Sequence, residues 1–279
     1  MVKIVLAILL FFNFLHAEVD EENDNQVLQK VQTFIDQNRY NANEEFIKII
    51  FSPASNFYEN DRVDVVKIVD TLKKNGLLKL FFDKPQELKL DFVSSGSPLF
   101  FLKVMRDSLR NIGYYRYVTV ASHLNNLEFS WSITLLAEYA TDPTLLQKEL
   151  QKSGCKIVDI QRKSPTEWSY VVDTTQGYLN IEKLEASQEM KLNRSLYAHW
   201  LDVSNIKFLK IVSSYRNRWY PEISYYDSSL HLLKEVKSDK ETSYINLKMP
   251  KNARYIKIAD LYTLKNVKDA LTLTPYGAK

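Results

Sequence analysis

The sequence predicts an α+β protein with two folded domains, the first mixed and the second built from strands alone. Across residues 86–177, segments with helical spacing of apolar residues alternate with segments in which apolar and polar residues take turns. From residue 201 onward the helical spacing disappears, and short alternating segments recur between turn residues. Because the two periods require different backbone geometries, this change of period indicates a change of architecture.

The first seventeen residues have the three-part layout of a secretory signal. Lys3 supplies a positive charge, an apolar run covers residues 4–15, and cleavage is expected after Ala17. The run is much shorter than the roughly 20 residues that span a bilayer. We therefore expect an exported, periplasmic protein without a transmembrane span once the signal has been removed.

Residues 18–85 are predicted to form an acidic tail followed by a region of helices and strands. The strands are expected from short apolar runs, and Lys84-Pro85 is expected to stop the last of them. The predicted elements are a helix over 27–35, a strand over 46–51, a helix from Asp61 to Gly76 and a strand over 77–82.

The stretch 86–177 has the element order strand–helix–strand–strand–helix–strand. Pro98 and Asp142 mark the starts of the two helices, and Gly113 and Gly154 follow their ends. The strands are predicted over 88–93, 115–122, 127–139 and 155–161, with 167–173 pairing with the last of these as a hairpin. This order is that of a ferredoxin-like α/β sandwich, in which both helices cover one face of an antiparallel sheet.

The C-terminal part is predicted to be an antiparallel β-sandwich. Residues 178–200 show no clear period and are expected to be a linker, so the domain is placed over 201–279. Its predicted strands are 207–212, 222–226, 230–236, 244–249, 254–259 and 270–274.

Two resemblances accompany this prediction. Residues 219–227 (WYPEISYYD) and 249–258 (MPKNARYIKI) resemble segments of galactose-binding-like, discoidin-type domains. That resemblance implies a jelly-roll-like sandwich, in a group whose members often bind carbohydrate. In its many Asn, Lys and Ile residues the whole chain resembles uncharacterised periplasmic proteins of Campylobacter-like bacteria, which implies no particular activity.

The candidate ligand-binding residues are Arg216, Arg218, Trp219 and Tyr220. They fall between two predicted strands, and loops at the ends of sandwiches are common binding sites. Aromatic faces stack on sugar rings, while arginine donates directional hydrogen bonds to hydroxyl or phosphate oxygens. The alternative is that Trp219 and Tyr220 close the end of the sandwich core, with Pro221 fixing the entry into the next strand.

The sequence contains no motif for catalysis, for a metal or for a cofactor. His123, His199 and His231 lie on different predicted elements and lack the spacing of metal ligands. Six scattered glycines are too few for a phosphate-binding or dinucleotide-binding loop. Cys155 is the single cysteine, which excludes an intramolecular disulfide, and we expect it to be a buried structural thiol.

These observations predict a non-enzymatic interaction or scaffold protein of the bacterial cell envelope. Residues 18–60 are strongly acidic and residues 196–279 strongly basic, a separation that can steer docking to charged partners. The expected partners are envelope proteins or peptidoglycan, and not nucleic acid. Two alternatives stay open: a carbohydrate- or peptidoglycan-binding module using the C-terminal sandwich, and an enzyme whose site is assembled from distant Asp, Glu and Tyr residues.

Overall fold

The computed structural model of the chain describes residues 23–279, which form two compact units divided between Gly177 and Tyr178. Unit 1 combines helices with a five-stranded sheet, and unit 2 contains two four-stranded antiparallel sheets. The predicted α+β class is therefore confirmed. The predicted signal at residues 1–17 lies outside the described residues. Among residues 23–279, no helix has both the length and the apolar character needed to cross a membrane.

Unit 1 begins with three helices, a two-stranded sheet and a fourth helix. The five-stranded sheet follows, with two further helices in the connections between its strands. Its elements are α1 (residues 23–32), α2 (Gln37–Ala42), α3 (Glu44–Ile50), a 3₁₀ turn (Ala54–Phe57), β1 (Tyr58–Glu59), β2 (Arg62–Val63), α4 (Val65–Lys74), β3 (Phe81–Ser94), α5 (Pro98–Asn111), β4 (Val118–Leu124), β5 (Phe129–Tyr139), α6 (Pro143–Gln151), β6 (Lys156–Ser164) and β7 (Glu167–Asp173).

The helices α5 and α6 begin and end where local sequence dictates. Pro98 occupies the first position of α5, and Gly113 follows the helix with a φ of +101°. The carboxylate of Asp142 accepts a hydrogen bond from the backbone N–H of Thr144 over 3.0 Å and so caps α6. Both starts agree with the sequence-based prediction, because caps are decided by residues within one turn of the helix end.

The sheet of unit 1 has the order β4-β5-β3-β7-β6. Strand β3 pairs antiparallel with β5 and parallel with β7, and β7 pairs antiparallel with β6 as the predicted hairpin. Leu88, Leu90 and Phe92 of β3 are fully buried, whereas the residues between them are not. This alternation places one face of the sheet in the core.

Several predictions for the N-terminal region are wrong. The apolar run at 46–51 forms the helix α3 rather than a strand, and its Phe46 and Ile49 are exposed. Asp61 lies in the β1–β2 turn with a φ of +59°, and Asp64 caps α4 instead. Short apolar runs fit either period, so the sequence did not discriminate between helix and strand here.

Strand β3 also differs from its prediction. It begins at Phe81 and runs through Pro85, whereas the sequence predicts a separate strand that stops there. The pairing with β5 is irregular between Phe81 and Gln86, which accommodates a residue that has no backbone N–H to donate.

The N-terminal helices belong to the same compact unit as the sheet. The ring of Phe34 stacks on Trp168 of β7 with 6.3 Å between the ring centroids. Lys30 of α1 forms an ion pair with Asp159 of β6. The sequence-based separation of 18–85 from 86–177 is therefore corrected for the described residues, since these helices contribute to the core of the same unit.

Unit 2 consists of β8 (Met190–Leu192), β9 (His199–Asp202), β10 (Ile206–Ser213), β11 (Pro221–Tyr226), β12 (Leu232–Lys237), β13 (Tyr244–Lys248), β14 (Tyr255–Asp260), a 3₁₀ turn (Leu264–Asn266) and β15 (Leu271–Ala278). The strand orders are β13-β10-β15-β8 and β12-β11-β14-β9. Apolar residues of both sheets form one shared core. The segment 178–200, predicted as a linker, supplies β8 and part of β9, so it belongs to both sheets.

Candidate functional site

The structure places Trp219 in the core of unit 2 instead of on its surface. The side chain is fully buried, and its indole N–H donates a hydrogen bond to the carbonyl oxygen of Ala259 over 2.9 Å. A ring with no exposed face cannot stack on a sugar. The proposed ligand contact of Trp219 is therefore corrected to core packing, the alternative that the sequence left open.

The other residues of the predicted cluster lie at the surface with partners of their own. The guanidinium of Arg216 lies 5.6 Å from the ring centroid of Tyr215, and Arg218 lies 3.6 Å from the carboxylate of Glu241. Tyr220 is half-buried and packs edge-to-face on Tyr262. The four predicted residues thus do not converge on one open site.

A buried carboxylate holds the connection between β10 and β11 in place. Asp260 is almost fully buried and accepts four hydrogen bonds. The donors are the backbone N–H groups of Tyr220, Tyr262 and Thr263 and the side-chain amide of Asn266, at 2.8–3.0 Å. Each hydrogen bond to a charged acceptor is stronger than a neutral one. Asp260 therefore fixes the backbone around Tyr220, a role that sequence analysis missed.

The titratable candidates do not assemble into a reactive centre. Cys155 is fully buried, as predicted, and burial together with the nearby Asp173 raises the pKa of its thiol to about 12. Because the thiolate is the nucleophilic form, this thiol is unreactive at neutral pH.

Burial lowers the pKa of His199, and His231 lies 3.0 Å from the carboxylate of Asp227. Within residues 23–279, His, Cys, Asp and Glu side chains form no group of three or more suited to a metal ion.

The most unusual surface of unit 1 is the edge strand β4. All seven of its residues are exposed. The core-side residues of β5 are buried, but the helices do not extend over β4, so both its faces are open. Val118 and Leu124 are 65% and 63% exposed, and Leu136 of the adjoining β5 is 75% exposed. An exposed edge with apolar side chains is a template for strand pairing.

Strand β4 also differs from the other edge strands in charge. Its sequence VTVASHL contains no Asp, Glu, Lys or Arg. Each of the other edge strands of the three larger described sheets carries charge, with Lys or Asp in β6, β8, β9, β12 and β13. Charged residues on an edge discourage pairing with another chain. Strand β4 lacks this protection.

The backbone of β4 carries a bulge at Val120. Thr119 pairs with Ile133 and Ala121 pairs with Ser132, so Val120 has no partner on β5. A bulge bends and twists an edge strand without covering its outer hydrogen-bonding groups. The sequence placed a strand here but gave no sign that it would be an uncovered edge. The absence of charge from 118–124 was the only available signal.

Comparison with known proteins adds no further identification. No family model, no curated protein and no solved structure matches the chain significantly.

Proposed function

We propose that this chain is a non-enzymatic interaction protein that docks a partner on strand β4. The partner is a protein that supplies an extended segment, which pairs with β4 and extends the sheet. The observation that carries the proposal is an edge strand without charged residues in which all seven side chains are exposed. Strand addition of this kind obtains affinity from main-chain hydrogen bonds and specificity from alternate side chains.

The chemistry of β4 suits an apolar, extended partner. Pairing would satisfy outward backbone groups that water now solvates, and it would cover the exposed side chains of Val118 and Leu124. His123 is the only titratable side chain on β4. The strand therefore offers no permanently charged group to a charged ligand.

A flexible segment suits this edge better than a second copy of the strand. Antiparallel self-pairing would place two bulges at Val120 in one ladder. A flexible segment can follow the bend of a single bulge. The expected export signal at residues 1–17 and the charge separation along the chain point to the periplasm and to envelope proteins as the source of that partner.

The test compares capture of envelope proteins by three forms of the protein. Val118→Lys places a charge on β4, and Leu232→Lys is the matched control on the charged edge strand β12. We expect a detergent-solubilised envelope protein to be retained by the wild type and the control and lost by Val118→Lys. In the purified complex, hydrogen exchange of the amides at 118–124 should slow.

Two outcomes would overturn the proposal. One is equal retention of the same proteins by all three forms, with unchanged exchange over 118–124. The other is concentration-dependent dimerisation that Val118→Lys abolishes, which would make the occupant a second copy.

The finer fold assignment is part of the same proposal. We infer a ferredoxin-like α/β sandwich in unit 1, supported by the order β3-α5-β4-β5-α6-β6. It departs from the simple arrangement because β7 lies between β3 and β6. For unit 2 we infer a jelly-roll-like β-sandwich, supported by two antiparallel sheets with one shared core.

Glycan or peptidoglycan binding by unit 2 is the second candidate function. One observation favours it: Tyr215 is 89% exposed and the Arg216 guanidinium lies over its ring. An exposed aromatic ring beside a cation is a platform for a sugar. Sedimentation with purified peptidoglycan that Tyr215→Ala abolishes would support this function. Equal sedimentation of wild type and variant, or none by either, would contradict it.

A further inference from the structure

A cleft of about 230 Å³ lies in unit 1, and none of its lining residues belongs to β4. It is formed by the connection between α1 and α2, the segment that precedes β3, and the end of β6. Phe81, which is 53% exposed, and Phe82, which is partly exposed, form an apolar wall of the cleft, and the buried side chains of Phe34, Leu77 and Leu78 line its base. This wall offers space for an apolar group about the size of one ring.

Arg162 of β6 lines this cleft and forms no ion pair with a carboxylate of residues 23–279. Its Nη1 donates a hydrogen bond to the carbonyl oxygen of Phe34 over 2.8 Å, and its guanidinium lies 5.7 Å from the ring centroid of Trp168. Its Nε is enclosed and has no hydrogen-bond acceptor. Burial lowers the pKa of Arg162, the carboxylate of Asp36 opposes this shift, and the nearby Arg39 adds to it. Asp36 acts on this half-buried guanidinium from a distance, without a direct ion pair.

Arg39 brings a second guanidinium to the same cleft. Its Nη1 donates to the carbonyl oxygen of Leu77 over 2.9 Å, which holds the side chain beside the apolar wall. Asp36 is the only acidic residue that lines the cleft, and it lies 4.0 Å from Arg39. Lys79 adds a third positive charge. One carboxylate therefore faces three cations, and the cleft has a net positive charge.

We propose that this cleft binds a small organic carboxylate with an apolar body. Guanidinium groups match the planar geometry of a carboxylate and can bind it in a bidentate manner. The apolar wall beside them covers the ring or alkyl group of the ligand. A ligand carboxylate would balance the excess positive charge that Arg39, Lys79 and Arg162 leave beside Asp36, and the apolar body distinguishes this ligand from a simple inorganic anion. The site is independent of the role proposed for β4.

The test is a titration of the mature protein followed by NMR chemical shifts. Phenylacetate is the probe, because it joins a carboxylate to one ring. Phenylacetamide lacks the charge, acetate lacks the ring, and inorganic phosphate is an anion without an apolar body. We expect saturable shifts with phenylacetate at millimolar concentrations, centred on residues 34–39 and 77–82. The three comparison compounds should bind at least about tenfold more weakly.

Substitutions assign the binding to the two arginines. Arg162→Gln and Arg39→Gln should each weaken phenylacetate binding by about tenfold to a hundredfold. Arg116→Gln is the matched control, since Arg116 is exposed and does not line the cleft. Arg39 is also exposed, so its variant decides the question if Arg162→Gln fails to fold. Equal binding of phenylacetamide, equal binding of phosphate, or unchanged affinity in the folded variants would overturn the proposal.

Discussion

The indole N–H of Trp219 donates a buried hydrogen bond to the carbonyl oxygen of Ala259, with 2.9 Å between the heavy atoms. Trp219 lies just before β11, and Ala259 lies near the end of β14, the strand paired with it. The bond therefore ties the start of one strand to its neighbour, and the ring fills the core that both sheets share. Trp219, which the sequence placed in a candidate binding loop, is in this way part of the core.

Replacement of Trp219 should reduce stability strongly. Trp219→Ala leaves a large cavity in the core and an unpaired carbonyl at Ala259, so we expect the free energy of unfolding to fall by about 3–5 kcal/mol. Urea denaturation followed by circular dichroism measures this change. Tyr215→Ala, on an exposed side chain, should change stability by less than about 0.5 kcal/mol. Similar effects of the two substitutions would contradict the core assignment.

Removal of the Asp260 carboxylate should loosen the β10–β11 connection. Asp260→Ala leaves the N–H groups of Tyr220, Tyr262 and Thr263 without their acceptor, and we expect a loss of about 2–4 kcal/mol. Thermal unfolding of the variant is the measurement. The control Asp239→Ala lies at an exposed position and should leave the midpoint almost unchanged. A midpoint for Asp260→Ala equal to that of the control would count against this role.

Cys155 should resist alkylation in the folded protein. Its thiol is buried, and its pKa is raised from 9.0 to about 12, so the thiolate is scarce at neutral pH. Iodoacetamide labelling followed by mass spectrometry should be slow in buffer and rapid in urea. Complete labelling of the native protein within minutes would show that the thiol is accessible and reactive.

The raised pKa of the Cys155 thiol should make the stability of the protein depend on pH. Between pH 9.0 and about 12 the folded state keeps the thiol proton that the unfolded state has lost. The unfolded state then binds fewer protons, so the free energy of unfolding contributed by Cys155 falls as pH rises through this range. Denaturant titrations at several alkaline pH values should show a shallower decline in Cys155→Ala. Parallel declines in the two proteins would contradict the shift.

The hydrogen bond by which Asp142 caps α6 should stabilise the protein separately from the ion pair that the same carboxylate forms with Lys73. Asp142 caps the helix and also lies 2.7 Å from the ammonium of Lys73. Asp142→Ala removes both interactions, and we expect a loss of about 1–2 kcal/mol. Lys73→Met leaves the cap intact and removes the partly exposed ion pairs of Lys73 with Asp142 and Asp70, so it should lower stability by less than about 1 kcal/mol. Equal losses from the two substitutions, measured by urea denaturation, would assign the effect to the ion pair.

Much of the secondary structure was predictable because its signals are local. The N-cap at Asp142, the proline at the start of α5 and the alternation over 88–93 each depend on residues within a few positions of one another. The run at 46–51 was mistaken for a strand, since a short apolar segment fits both periods. The edge strands β8 and β9 were missed because their partners lie far along the chain.

The candidate sites were predictable to a smaller extent. Sequence analysis predicted a strand over 115–122, close to β4, and identified aromatic and arginine residues at 215–220. It did not show which of these residues are exposed. Arg39 and Arg162 are far apart in sequence and carry no motif, so their shared cleft was not predictable.

The α+β class and the limits of α5 and α6 follow from the sequence, because spacing and helix caps specify them over a few residues. Tertiary structure alone decided that Trp219 is covered, that β4 is open and that Arg39 and Arg162 meet beside an apolar wall. Exposure and the balance of charge depend on which distant segments pack together, so no local pattern reveals them. Which segments pack together depends on the whole folded core and not on any one stretch of residues.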